Sequence, residues 1–425
     1  MINKSRLIYL LSFMLMFSVG CEDSDDSVAE DNSIETPAVY EFDSRFSDGE
    51  SSVSYNGQVV RNLLINDIKT QCGTDAGTGN PSTLLSMMAN DNANQAILSV
   101  GDLTTVQAKY HDISTSHLND RLAAVTDYVL TGYDADAATL VNGWINELAA
   151  NGKTRANGVR LDQMIQKTLW GAVSYWQATS KYMSKIPDDD NTMSDDGDPY
   201  TAMEHHWDES FGYFGAARDY NTGYSDDTDR KTSPYYDTNS DGSIDFKKEY
   251  NMGWAVTAAK RDLVTASVDY DFTKTIMDAY LEGRALIHNE APLEEILAQR
   301  TIILNTWEKV VAAVSIHYVN DVIADIAGLI AAADASTAPM SSVTADYENH
   351  WGEMRAYCHG LWYNDFKLIE DVNLTRILTI MGTAPVYPDN GDFAPMQTYH
   401  DQLAGEVKAI FKASYGFTDE HMSNW

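Results

Sequence analysis

Residues 293–338 contain no proline and are dominated by Leu, Ile, Val and Ala. An α-helix persists only where nothing removes its i→i−4 hydrogen bonds, so this run predicts one long helix or two in line. The chain has ten prolines. Pro187, Pro199, Pro234, Pro292 and Pro339 fall between apolar-periodic runs, where prolines end helices. Helices are expected over 135–150, 161–185, 200–217, 271–289, 293–333, 343–363 and 400–413. A further one begins near Gly57, with Val59, Leu63, Leu64 and Ile68 on one face. Upstream of it, "AVYEFDSRF" and "SSVSYNGQ" alternate and read as extended segments, and no strong alternation follows residue 60. The expected fold class is all-α, a duplicated helical bundle with a short extended N-terminal segment.

The N-terminus predicts the compartment. "MINKSRLIYLLSFMLMFSVGC" places Lys4 and Arg6 before an apolar run too short to span a bilayer, then small residues before Cys21. This is the pattern of a secretory leader. Val19-Gly20-Cys21 resembles a lipobox, which makes Cys21 the lipidated residue and the new N-terminus. The following "CEDSDDSVAEDNS" is acidic and without apolar period, as expected of a disordered tether. An acidic stretch directly after a lipid cysteine also resembles a surface-export signal of some Gram-negative envelopes. The net charge is −34, and loss of the leader takes two positive charges and no acid, giving −36. Such a surface cannot neutralise phosphates, so nucleic acid is excluded as a partner. An oxidising envelope permits Cys72 and Cys358 to pair, or leaves both free.

Two stretches repeat one pattern. "EHHWDESFGY" (204–213) and "ENHWGEMRAY" (348–357) share E-x-H-W-x-E-x-x-x-Y, with every matched residue 144 positions apart. This reads as the trace of an internal duplication. His206 and Glu209, like His350 and Glu353, are three residues apart and share a helix face. Imidazole with carboxylate suits iron, zinc or copper, and bundles build such sites from facing helices. The candidate ligands are therefore His206, Glu209, His350 and Glu353, with His317 or His288 as a helper. The competing reading is a hydrogen-bonded His–Glu pair beside a packed Trp, retained for packing.

A second metal signal lies in "DTNSDGSIDFKKE". Asp237, Asn239 and Asp241 occupy positions 1, 3 and 5 of an EF-hand-like loop, Gly242 the sharp turn, Ser243 the carbonyl position and Asp245 position 9. Position 12 is Lys248, and the acid arrives one residue late as Glu249. Calcium is the expected ion, in a structural role, and a solvated Asx-rich turn is the alternative.

The segments "HHWDESFGYFG", "YEFDSRF", "SSVSYNGQVVRNLL" and "HWGEMRAY" together resemble a family of secreted bacterial lipoproteins catalogued as domain of unknown function 4856, over most of the chain from about Tyr40. More remotely, the chain is similar to imelysin-like proteins of bacterial iron uptake, whose motif is Gly-x-His-x-x-Glu. His206, Glu209, His350 and Glu353 match it, while Glu204 and Glu348 stand at the glycine position. The resemblance implies two imelysin-like halves, iron uptake or handling, and an outer-membrane receptor partner. The expected layout is a leader (1–20), a tether (21–38), a first helical half (39–230), a calcium-type loop (231–250) and a second half (251–425). The expected function is a non-enzymatic, metal-binding lipoprotein of the outer membrane, facing the periplasm or the cell surface. The alternatives are a surface binding protein whose His-Trp-x-Glu copies are purely structural, and a metal-dependent peptidase using Glu204 or Glu348 as base. No H-E-x-x-H or G-x-S-x-G motif supports the last.

Overall fold

The computed structural model describes residues 34–220, 233–264, 269–335 and 340–425. The expected leader, the lipidation site Cys21, most of the tether and the end of the first half at 221–230 lie outside the described residues. Glu35–Trp425 forms one compact unit. It is helical throughout, with a single two-residue antiparallel pair among the described residues, Leu263–Val264 with Asp269–Tyr270.

The main helices are α1 (Asn56–Asp75), α2 (Ala137–Asn151), α3 (161–182), α4 (Ala202–Phe214), α5 (Gly253–Arg261), α6 (Phe272–His288), α7 (Leu293–Ala335), α8 (Met340–Gly360), α9 (Asp371–Met381) and α10 (394–415). The proline-free run is indeed one helix, the 43-residue α7. Glu294 and Glu295 occupy its first turn, where carboxylates meet the positive end of the helix dipole. It is apolar and long enough to cross a membrane by composition, but 56% of its most apolar window is buried inside the molecule. α6 and α8 pack along it. Trp307 of α7 anchors the centre, with ring centroids 5.3 Å from Phe214, 5.6 Å from Tyr175 and 6.4 Å from Trp254.

α3 serves both ends of the sequence. Its first turns pack on α8 and its last turns on α4. From Trp170 to Tyr182 its turns are mostly of the wider π type, a form that recurs at functional sites. The extended N-terminal segment folds back through an Asp43–Ser51 bridge and stacks Tyr40 on Phe211 at 3.8 Å. Cys72 and Cys358 do not pair. Both are free, buried thiols, and burial pushes each up to about 12.

Candidate functional site

The sequence Thr201-Ala-Met-Glu204 starts α4 with a reciprocal cap. Thr201 Oγ1 accepts from the Glu204 amide at 3.1 Å, and Glu204 Oε2 accepts from the Thr201 amide at 2.9 Å. Gly215, at φ +84°, closes the helix in the left-handed region. Between these caps lies the first His-Trp-x-Glu copy, and α8 carries the second.

The two copies share a His–Asp bond and a Tyr–His–Tyr cluster. In the first, Asp189 Oδ2 accepts from His206 Nδ1 at 2.7 Å, and Tyr182 lies between His206 (5.8 Å) and Tyr213 (6.1 Å). In the second, Asp325 Oδ2 accepts from His350 Nδ1 at 2.8 Å, and Tyr318 lies between His350 (6.1 Å) and Tyr357 (5.7 Å). Burial, with Glu209 beside Tyr182 and Glu353 beside Tyr318, raises both phenols. The Trp207 indole donates to the Tyr280 carbonyl at 3.0 Å, and that of Trp351 to the Tyr399 hydroxyl at 3.1 Å. Both tryptophans are fully buried. Tyr182, Asp189, Tyr318 and Asp325 were not singled out in the sequence. Their signal is a second shared pattern, Tyr-x6-Asp, upstream of each histidine.

Each candidate ligand thus has partners of its own. Lys185 Nζ lies 2.8 Å from His206 Nε2, and Gln58 donates to Glu209 at 2.7 Å. Lys167 stands 3.5 Å from Glu353, which also accepts from Asn349 at 3.0 Å. No neighbour of His206 or Glu209 is also a neighbour of His350 or Glu353 in these contacts. Among the described residues no three His, Cys, Asp or Glu side chains are placed to hold a metal ion. His317 Nε2 is 3.4 Å from Asp321 in the second copy, and burial, with the Arg261 and His350 charges, pushes it down to about 4. His350 is raised, chiefly by its bond to Asp325.

Glu204 and Glu348 are likewise engaged. Glu204 is fully buried, 2.9 Å from Arg284 Nη1, and Arg284 Nε bonds Asp208 at 2.9 Å. Burial alone would raise the Glu204 carboxyl. His288 and Arg284 outweigh it and hold it at about 2. Glu348 accepts from the Tyr387 hydroxyl at 2.7 Å. Neither carboxylate is a free base.

The 237–249 loop turns as its spacing predicts, with Gly242 at φ +85°. Asp237 accepts from the Asp241 and Gly242 amides, at 3.1 and 2.9 Å, and Asn239 from Asp241 at 2.8 Å. Asp241 accepts from Ser243 at 2.8 Å. Ile244 bridges to Thr105, tying the loop to the body. Asp245 bonds Gln107 and Lys247, and Glu249 folds inward to the Asp245 amide at 2.9 Å.

Beside the second copy, α1, α3, α5 and α8 enclose a cleft of about 360 Å³. Lys167, Lys260, Asn251, Trp170, Tyr250 and Tyr357 line it, and Lys167 Nζ donates to Gln166 Oε1 at 2.7 Å. Lys167 also reaches over the Tyr357 ring at 5.5 Å. No sequence motif marks this cleft, because its residues come from five separate segments.

The match to a protein family covers residues 37–342, described as Domain of unknown function (DUF4856). The chain belongs to DUF4856. The DUF4856 match takes in the first His-Trp-x-Glu copy, the 237–249 loop and most of the cleft, and stops before His350. No curated protein and no solved structure matches the chain.

Proposed function

We propose that this DUF4856 chain is an envelope lipoprotein that binds a ligand without transforming it, exposed to the periplasm or the cell surface. In this reading the His-Trp-x-Glu copies descend from a doubled helical unit and act as clamps between helices. The observation that carries it is the set of partners. His206 and His350 each give Nδ1 to an aspartate, Glu209 accepts from Gln58, and Glu353 accepts from Asn349 and faces Lys167. Iron or zinc shared by these four residues and His317 would require breaking those bonds, so the structural role of the copies is better supported. The lipobox at Cys21 supports the membrane anchor. Calorimetric titration of iron(II) and zinc into the mature protein tests this. No binding that disappears in a His206→Ala/His350→Ala variant is expected, and stoichiometric binding lost in that variant would overturn it.

Calcium on the 237–249 loop is a second reading. The left-handed Gly242 at the sharp turn and the body contact at Ile244 favour it. Only Asp237 and Asp241 supply carboxylates at the tight end, with Asn239 and the Ser243 carbonyl, so a weak site is expected. Millimolar calcium should raise Tm by a few degrees in the wild type and not in Asp241→Ala. An unchanged wild-type Tm contradicts it.

A further inference from the structure

The chain has nine tryptophans, and seven of them are buried. The two that stay partly exposed, Trp176 and Trp362, both adjoin one residue, Tyr128. The Trp176 indole donates to the Tyr128 hydroxyl at 3.1 Å, with the rings edge to face and 6.4 Å apart. Trp362 and Tyr128 line a second cleft, of about 390 Å³, together with Asp127, Val129, Lys367 and Asp371. Val129 adds apolar surface there, at 56% exposed. Apolar groups gathered at the surface forgo the stabilisation that burial would give, and such gatherings mark binding grooves.

The walls of this cleft are fixed before any ligand arrives. The Tyr128 hydroxyl donates to Asp365 Oδ1 at 2.5 Å, and its ring lies 5.6 Å from that of the buried Tyr363. Glu308 of α7, fully buried, accepts from the Leu368 and Ile369 amides at 2.6 and 3.1 Å, which pins the segment carrying Trp362 and Lys367. Pre-set walls lessen the ordering that binding must offset. The polar groups then select the ligand. Lys367 Nζ pairs with Asp371 at 2.9 Å and lies 5.3 Å from the Trp362 ring centre. An ammonium carries several N–H groups and a carboxylate several acceptor positions, so one ion pair saturates neither. The Lys367 side chain is 16% exposed and that of Asp371 67%, and Asp127 is exposed as well. A hydroxyl is the group that donates to such carboxylates and accepts from such an ammonium at once. Lys367 already fills the cationic place beside the Trp362 ring, which disfavours a second cation, and the carboxylates disfavour an anion.

We propose that this second cleft binds a neutral oligosaccharide, with one sugar ring against Tyr128 and Trp362 and its hydroxyls on Lys367, Asp371 and Asp127. The volume lies near the lower end of small-molecule sites, roughly 300–1,000 Å³, which leaves the rest of the oligosaccharide outside. An aromatic wall takes the C–H face of a sugar, and the polar groups at its edge take the hydroxyls. The proposal rests on the binding-protein reading and names its ligand class, and the metal titration that tests that reading and the sugar titration that tests this one fail independently. Maltotriose, cellotriose and mannotriose are titrated calorimetrically into the mature protein, with choline as the cationic control and glucuronate as the anionic one. At least one trisaccharide is expected to bind at millimolar concentration, more tightly than either control. For that trisaccharide, Trp362→Ala should weaken binding roughly tenfold, as loss of one aromatic contact implies. Asp127→Ala, a change at an exposed position, should weaken it several-fold. If no trisaccharide binds, if choline or glucuronate binds as tightly, or if Asp127→Ala binds unchanged, the proposal is overturned. The Asp127 variant decides the matter even if Trp362→Ala fails to fold.

Discussion

His317 and His350 flank the Tyr318 ring, with centroids 4.9 and 6.1 Å away, and burial and charge move their proton affinities in opposite directions. His317 is held neutral, pushed down to about 4 by burial and then by Arg261 and His350. An unfolded histidine titrates at roughly 6.5, so the unfolded chain takes up a proton that the folded His317 refuses. Its contribution is therefore present above about pH 6.5 and is lost as pH falls through about 4. His350, raised by Asp325, has the reverse sign, with a contribution present at acid pH and lost as pH rises through its elevated pKa. The urea midpoint of the wild type should fall between pH 6.5 and 4 by more than that of His317→Gln. Identical slopes would contradict this account. At this scale the sequence offered His206 with Glu209 and His350 with Glu353 as pairs, whereas each histidine bonds an aspartate instead. Asp189 precedes His206 by 17 residues and Asp325 precedes His350 by 25, so no fixed spacing links them.

At the scale of elements, helix packing turns on a few close approaches. Gly283 of α6 is one, since a Cβ there would lie 2.1 Å from the Trp207 ring. Trp207 is fully buried and tied to the Tyr280 carbonyl, so it cannot yield easily. Alanine is the better helix former by about 1 kcal/mol, yet overpacking costs roughly 1–3 kcal/mol. Gly283→Ala should therefore lower the unfolding free energy by up to about 2 kcal/mol in urea, the difference between those effects. A gain in stability would show that α4 and α6 can move apart. Long helices were legible because apolar period and proline placement act locally. α7 was expected over 293–333 and runs Leu293–Ala335. α5 and α9 were not expected. They span only Gly253–Arg261 and Asp371–Met381, too short for a clear period, and packing holds them in place. The last helix starts earlier than its expected 400, with Pro395 in its first turn, where the missing N–H costs nothing.

At the scale of the whole molecule, α3 and α7 each carry a tyrosine of one His-Trp-x-Glu copy. Each supplies the tyrosine that lies beside the next helix's histidine, Tyr182 from α3 and Tyr318 from α7. The sequence showed the repeat over ten residues, while the equivalence of its surroundings depends on tertiary contacts. The cleft beside Glu353 was illegible for the same reason, being assembled from α1, α3, α5 and α8. The central claim is that the histidines of the copies join helices through aspartate and need no metal to do so. A double-mutant cycle on His350→Ala and Asp325→Ala, followed by urea unfolding with a chelator present, tests it most directly. The account predicts a coupling of roughly 0.5–3 kcal/mol under chelation, as for side chains in direct contact. Zero coupling under chelation, or coupling that emerges only when iron or zinc is added, would contradict it.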